Sequence, residues 1–339
     1  MKNSMKCCKV NKKKWIYAMA VALLILSVIL GITLGATTVE LKEMFLVFLR
    51  GDTESVAAKI LLYVRLPRVL GSLLCGAALA VSGGVIQSVL ANNLASPSII
   101  GVNSGAGLAV TICTALGLAG GWRVSVFAFA GAFLTVMTVS FGAKKWGASR
   151  GTVILMGVAL NSLLGAFSDA VTTVMPEVSI LRNDFRIGDF SAVTYPKLLP
   201  AAVVIGIALA VLLTLSNELD LLTLGEDTAR SLGMRTGGMR VLFLLLAAAL
   251  AGAAVSVAGL LSFVGLLIPH TVRRIGGSDA RHLLPMSALL GGGFVTLCDT
   301  LARVIFAPYE LPVGIIMAFL GAPFFLFILV KGKGGKNHA

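Results

Sequence analysis

The sequence predicts an all-α membrane protein that crosses the bilayer about ten times. Three observations carry that prediction. Of the 339 residues, 57% are hydrophobic and 13% are charged, where a soluble domain holds about 25% charged residues. The mean hydropathy is +0.95. The apolar residues run in long blocks rather than in a helical stripe, and a helix needs roughly 20 of them to span the hydrocarbon. In hydrocarbon every backbone N–H and C=O must be bonded internally, which leaves helices and closed barrels. A barrel would show short segments of alternating polarity, and this chain does not.

The first element is an apolar run from Trp15 to Ala36, preceded by six lysines and no acid in residues 1–14. A basic start before an apolar run also opens a signal peptide, but this run exceeds the roughly 7–15 apolar residues of a signal core. A retained helix with a cytoplasmic N-terminus is expected. Further spans are expected near 69–91, 98–118, 124–142, 152–175, 198–216, 239–257, 259–272, 287–306 and 312–330. The piece at 259–272 is too short to cross alone, and Gly259 and Pro269 mark it as broken or tilted. Such breaks are tolerated where neighbouring helices satisfy the freed backbone groups. Small residues four apart, as at Gly71–Cys75 and Gly101–Gly105, let helices approach closely in lipid.

With ten spans and an inside start, the inside segments 1–14, 143–151, 217–240, 270–285 and 331–339 hold 18 of the 28 Lys and Arg. That excess is what the positive-inside rule requires. The expected organisation is a basic N-terminus (1–14), one transmembrane domain (15–330) with a cytoplasmic loop at 217–240, and a cytoplasmic tail (331–339). The net charge of +13 sits at the ends of apolar blocks, without basic-aromatic stretches that would stack on bases. Nucleic acid is therefore not an expected partner. Of the five cysteines, Cys75, Cys113 and Cys298 lie inside apolar blocks, while Cys7 and Cys8 precede the first helix. No CxxC pair exists, so neither a disulfide framework nor a metal site is expected.

Polar residues inside the spans are few. The fifth span carries Asn161, Gly165, Ser168 or Asp169, and Thr172 at steps of three and four, which places them on one helix face. Such a face looks to a pathway or to a partner helix. For Asp169 both a vestibule lining and an interhelical hydrogen bond are open. Asp299 has Arg303 one turn later, which favours structural pairing. His270 follows Pro269 and is expected to hold a helix end rather than to act as a relay or ligand. No Ser-His-Asp or paired-carboxylate arrangement is visible. No GxxxxGK[ST] phosphate loop occurs either, so this chain is not expected to be an enzyme.

Several segments resemble the permease family that imports iron-siderophores, haem and cobalamin within ATP-binding-cassette importers. They are Arg65-Leu-Pro-Arg68; Gln87 with Asn92-Asn-Leu-Ala-Ser-Pro97, Gly101 and Gly105-Ala106; and Leu224-Gly-Glu-Asp-Thr-Ala-Arg-Ser-Leu-Gly233. Further on come Gly259, Phe263-Val-Gly-Leu, Pro269-His270 and Arg273, then Asp299, Arg303, Leu311-Pro-Val-Gly314 and Gly321-Ala-Pro323. They keep the family's order and spacing over about residues 60 to 330. The chain departs from the pattern where Asn93 replaces a proline and where Asp279-Ala-Arg281 replaces Asp-His-Arg; segment 182–195 lacks the expected tryptophans.

The resemblance implies a multi-pass protein of the bacterial cytoplasmic membrane that acts as a two-fold pair, with itself or with a paralogous permease. It implies a cytoplasmic ATPase dimer carrying ATP and magnesium, and an extracytoplasmic substrate-binding protein. No cofactor would be bound by this chain. Arg65, Arg68 and Arg303 would be sockets for carboxylates of the binding protein, a role that suits the planar guanidinium fork. The loop with Gly225, Glu226, Asp227, Ala229, Arg230, Leu232 and Gly233 would be the coupling helix against the ATPase, with Glu226, Asp227 and Arg230 on one exposed face. Gln87, Asn92, Pro97, Pro269, His270, Gly321 and Pro323 would be structural. The expected cargo is a ferric siderophore, with haem or cobalamin as the alternative. An ion-coupled secondary transporter is the rival outside the family, and Asp169 and Asp299 are thin equipment for it.

Overall fold

The computed structural model describes the backbone of residues 2–35, 55–118, 120–146 and 149–333, and the side chains of 13–35, 55–118, 120–146 and 149–327. Cys7, Cys8, most of the basic N-terminal segment and the tail from 334 lie outside the described side chains. The helices, in order, are α1 (Lys2–Thr33), α2 (Val56–Val89), α3 (Val102–Ala115), α4 (Trp122–Lys145), α5 (Arg150–Val174), α6 (Ser179–Ile187) and α7 (Tyr195–Thr214). They continue as α8 (Ser216–Thr223), α9 (Glu226–Ser231), α10 (Thr236–Ala258), α11 (Val264–Gly276), α12 (Ala280–Val304) and α13 (Val313–Lys333). Seven of the described helices are long and apolar enough to cross a membrane. Each of the ten expected crossings has its helix, and α3 (14 residues) and α11 (13 residues) are the short ones.

Burial sorts the helices. The apolar windows of α2, α10 and α12 are 78%, 72% and 67% buried, against 17% for α1 and for α5. The first three are the trunk on which the rest are laid. Close approach needs glycine. A Cβ on Gly76 would overlap the carbonyl of Gly291 in α12, and one on Gly83 would overlap that of Gly265 in α11. The expected small-residue contact at Gly105 is also made, against Gly131 of α4.

The second crossing differs from its expected start. Pro67 reads as a helix opening, yet the helix runs from Val56, through a π turn at Ile60–Arg65, into Leu66–Val89. A proline lacks an N–H and its ring crowds the carbonyl four residues back. The turn before it widens, so that Leu66 N–H bonds to the Leu61 carbonyl, five residues back. Tyr195 Oη of α7 then donates to the Leu62 carbonyl at 2.9 Å. Arg65 and Arg68 consequently sit inside a helix rather than at its mouth.

The break at 259–272 is real. Gly259 (φ +72°) ends α10, and Phe263 (φ +68°) starts α11 from a left-handed conformation unusual for a side chain of that size. Its ring fills the space where Gly321 of α13 has no side chain. Helix α6, which no expected span covers, lies across this break: Leu260 N–H donates to the Phe185 carbonyl at 2.9 Å, and Asp189 N–H to that of Ala258 at 2.8 Å.

Candidate functional site

Among the described residues, clusters of charged side chains lie at the two ends of the bundle. At one end α1, α2 and α12 bring Arg65, Arg68, Asp299 and Arg303 together. Asp299 has no exposed surface and pairs with Arg68 Nε at 3.0 Å and Arg303 Nη2 at 3.2 Å. Arg68 Nη1 also reaches Glu310 Oε2, in the α12–α13 loop, at 2.6 Å. Its Nη2 lies 3.7 Å from Asp189 and has no hydrogen-bond partner among the described residues. Arg65 and Arg303 point at the end of α1: Arg65 donates to the Ile32 and Thr33 carbonyls, and Arg303 to those of Gly31 and Leu34. These are the carbonyls a helix C-terminus leaves unpaired, where cations are favoured.

The three arginines expected to be sockets are therefore paired within the chain. Arg65, Arg68 and Arg303 are 3%, 4% and 2% exposed, and every one of them is committed to an internal acceptor. A long side chain beside an unpaired helix end and a buried carboxylate folds inward, because leaving either uncompensated costs more than exposing the arginine gains. The expected Asp299–Arg303 pairing is present. Sequence reasoning missed Glu310 and Asp189 as partners. Both are in loops and share no periodicity with Arg68.

Around the α10–α11 break lie two cavities. One, of about 200 Å³, is bordered by Ser96, Ser98, Asn103 and Ser262 together with Pro97 and Phe263. The other, of about 560 Å³, lies between α6, Ser262 and the α13 face that carries Pro323. Ser262 borders both. The loop before α3 re-enters the bundle: Asn161 of α5 donates to the Ser98 and Ile99 carbonyls at 2.9 and 3.2 Å and pairs with Ser104. Asn161 of the polar face of α5 therefore holds the start of α3, and the face borders neither of these two cavities. Of the two candidates in that stripe, Ser168 turns inward (4% exposed). Asp169 turns outward, 71% exposed, and pairs with Arg182 of α6 at 2.7 Å. Arg182 also donates to Thr172 at 3.0 Å. Gly165 faces open space.

The structural motif residues brace α2 against α11. Gln87 donates to the Gly265 carbonyl at 3.2 Å and accepts from Arg273, which also donates to the Gly84 carbonyl and Ser88 Oγ. Pro97 packs on Gly265, Pro269 on Gly84, and Asn92 caps its own turn through Leu94 N–H at 2.9 Å. His270 sits in the middle of α11 rather than at a helix end, and its Nε2 has no hydrogen-bond partner among the described residues. The geometry of a short helix with a buried lower face overrides the local Pro-His signal.

At the other end are α8 and α9, the short helices expected in 217–240. Gly225 (φ +110°) and Gly233 (φ +85°) bound α9 in conformations that favour glycine. Ala229 is fully buried beneath it. Glu226 does not share an exposed face with Asp227 and Arg230, as expected; it turns inward to Arg240 and to Arg150 at the start of α5 (3.9 Å), with Arg230 at 3.6 Å. Three nearby guanidiniums draw the carboxylate inward. Leu224 and Leu232 flank α9, each 61% exposed. Asp220 of α8 accepts from Ala280 N–H at 2.8 Å and so caps α12. Burial pushes its carboxyl up, and this hydrogen bond opposes the shift.

Comparison with known proteins places these features. The model of the FecCD transport family matches residues 23–331. The iron-uptake system permease protein FeuB of Bacillus subtilis is 34% identical, covering 92% of this chain and 94% of its own. The hemin transport system permease protein HmuU of Yersinia pestis is 34% identical, covering 93% and 96%. A solved structure described as an inward-facing conformation of a metal-chelate type ABC transporter superposes with a TM-score of 0.84 at 29% identity, covering 94% of this chain and 99% of that one.

Proposed function

Because this chain belongs to the FecCD transport family of ABC-importer permeases, we propose that it carries a ferric siderophore across the bacterial cytoplasmic membrane. The observation that carries the choice of cargo is the lining of the smaller cavity. Among apolar walls that include Leu79, Leu261 and Leu266, Ser96, Ser98, Asn103 and Ser262 offer neutral hydroxyl and amide groups, which suit an oxygen-rich, hydrated chelate better than flat haem. The test is uptake by cells stripped of their own importers and supplied with this permease, its ATPase and its binding protein. Ferric siderophore labelled with radioactive iron is expected to accumulate. Accumulation of haem or cobalamin in its place would overturn the cargo.

In this reading the α9 end is cytoplasmic, as the Lys and Arg excess there supports, and a second copy completes the pathway. The exposed Leu224 and Leu232 beside α9 mark a surface for a partner, here the ATPase. Glu226 would pass its displacement to α5 and α10 through Arg150 and Arg240. Proline cannot adopt the positive φ of Gly233. Gly233→Pro is expected to abolish substrate-stimulated ATP hydrolysis by the assembled transporter while the permease still inserts. Wild-type stimulation would remove the assignment.

The Arg68 end would then meet the substrate-binding protein. Since Arg68 is already paired, an incoming carboxylate has to displace Glu310, whose side chain is 35% exposed. Glu310→Gln removes the resident charge and is expected to tighten docking several-fold at low salt, with the gain fading as salt screens the site. Weaker docking would show that Glu310 itself belongs to the contact.

A further inference from the structure

At the Arg68 end, α4 and α7 flank a groove of about 240 Å³ floored by α10. Trp122 and Phe129 line it from α4, Pro200 and Val204 from α7, and the small Ala253 forms part of the floor. None of its bordering residues is acidic. Its mouth carries a cation: Lys197 borders it and holds its ammonium at the surface, 3.2 Å from the Ala192 carbonyl. Trp122 itself is 62% exposed. An indole at a helix start, with a cation across the same groove, is the arrangement met at headgroup level, with apolar walls running from it toward the hydrocarbon.

We propose that this groove binds one acyl chain of an anionic phospholipid, whose phosphate is held at the mouth by Lys197. The commitment to an anionic lipid rests on charge complementarity: a cation at the mouth and no carboxylate among the described residues that border the groove. The commitment to a chain rests on shape. The helices on a flat lipid-facing surface would meet chains only in passing, whereas here two helices flank a floor of small side chains. The site belongs to the membrane-embedded chain alone and does not depend on which cargo is carried.

The chain has three tryptophans, so Trp15→Phe and Trp146→Phe together leave Trp122 as the sole reporter. The full-length protein is reconstituted in phosphatidylcholine vesicles containing increasing phosphatidylglycerol, with bromine on the chains of one lipid at a time. Brominated phosphatidylglycerol is expected to quench Trp122 at a concentration lower by a factor on the order of five than brominated phosphatidylcholine, the scale of one cation at a membrane surface. Lys197→Gln is expected to erase that preference. Ala253→Leu, which fills the floor, is expected to reduce quenching by both lipids. Ser256→Leu does the same from another floor position, and whichever variant elutes monodisperse is used. Equal quenching by the two lipids would overturn the proposal, as would a preference that survives Lys197→Gln. Absence of quenching by either lipid would mean that protein covers the groove, and would overturn it too.

Discussion

Asp299→Ala is expected to destabilise the folded permease by roughly 3–5 kcal/mol, the cost of removing one partner from a buried ion pair. The carboxylate is fully buried between Arg68 and Arg303, and its loss leaves two guanidiniums in a site that water does not reach. Glu310 and Asp189 still face Arg68, and the Gly31 and Leu34 carbonyls still accept from Arg303, so the protein is expected to be weakened rather than unmade. Thermal unfolding in detergent measures the effect. Replacing Arg68 by Met in the same chain is expected to cost much less than the sum of the two single changes, because the second substitution removes a charge that the first left uncompensated. Simple additivity would show that Asp299 and Arg68 do not act as a unit.

Gly83→Leu is expected to abolish recovery of folded protein. Even one Cβ at this position would overlap the Gly265 carbonyl, and overpacking of a tight contact costs about 1–3 kcal/mol or more before larger side chains are considered. Separation of α2 from α11 would also break the Gln87 bond to that same carbonyl, and with it the brace through Arg273. Gly206→Ala in α7 is the control, since a Cβ there meets nothing within 4 Å and alanine is the better helix former. Yields of monodisperse protein after size exclusion separate the two. Normal recovery of Gly83→Leu would mean that α2 and α11 are not fixed against each other.

The sequence by itself determined the solvent, the helical class, a helix for each of the ten expected crossings and the break near Gly259. Each of these follows from properties that a short window contains: the length of an apolar block, the charge at its ends, a glycine or proline inside it. It also placed the polar face of α5 and the Asp299–Arg303 pair, because helical periodicity fixes which residues lie one turn apart. Only the tertiary structure decided what those residues face. Whether Arg65, Arg68 and Arg303 look out or in depends on where α1 ends and on where the loops bearing Asp189 and Glu310 come to rest. Ser168 and Asp169 are adjacent in sequence and about 100° apart around their helix, yet one turns inward and the other outward, and no window chooses between them. Glu226 shares its charge with Asp227 yet turns to Arg150 and Arg240. In a bundle where nearly every surface is apolar, hydropathy does not distinguish a face that meets lipid from one that meets another helix. That choice is made by close contacts such as those of Gly76, Gly83 and Gly321, between residues far apart in the chain.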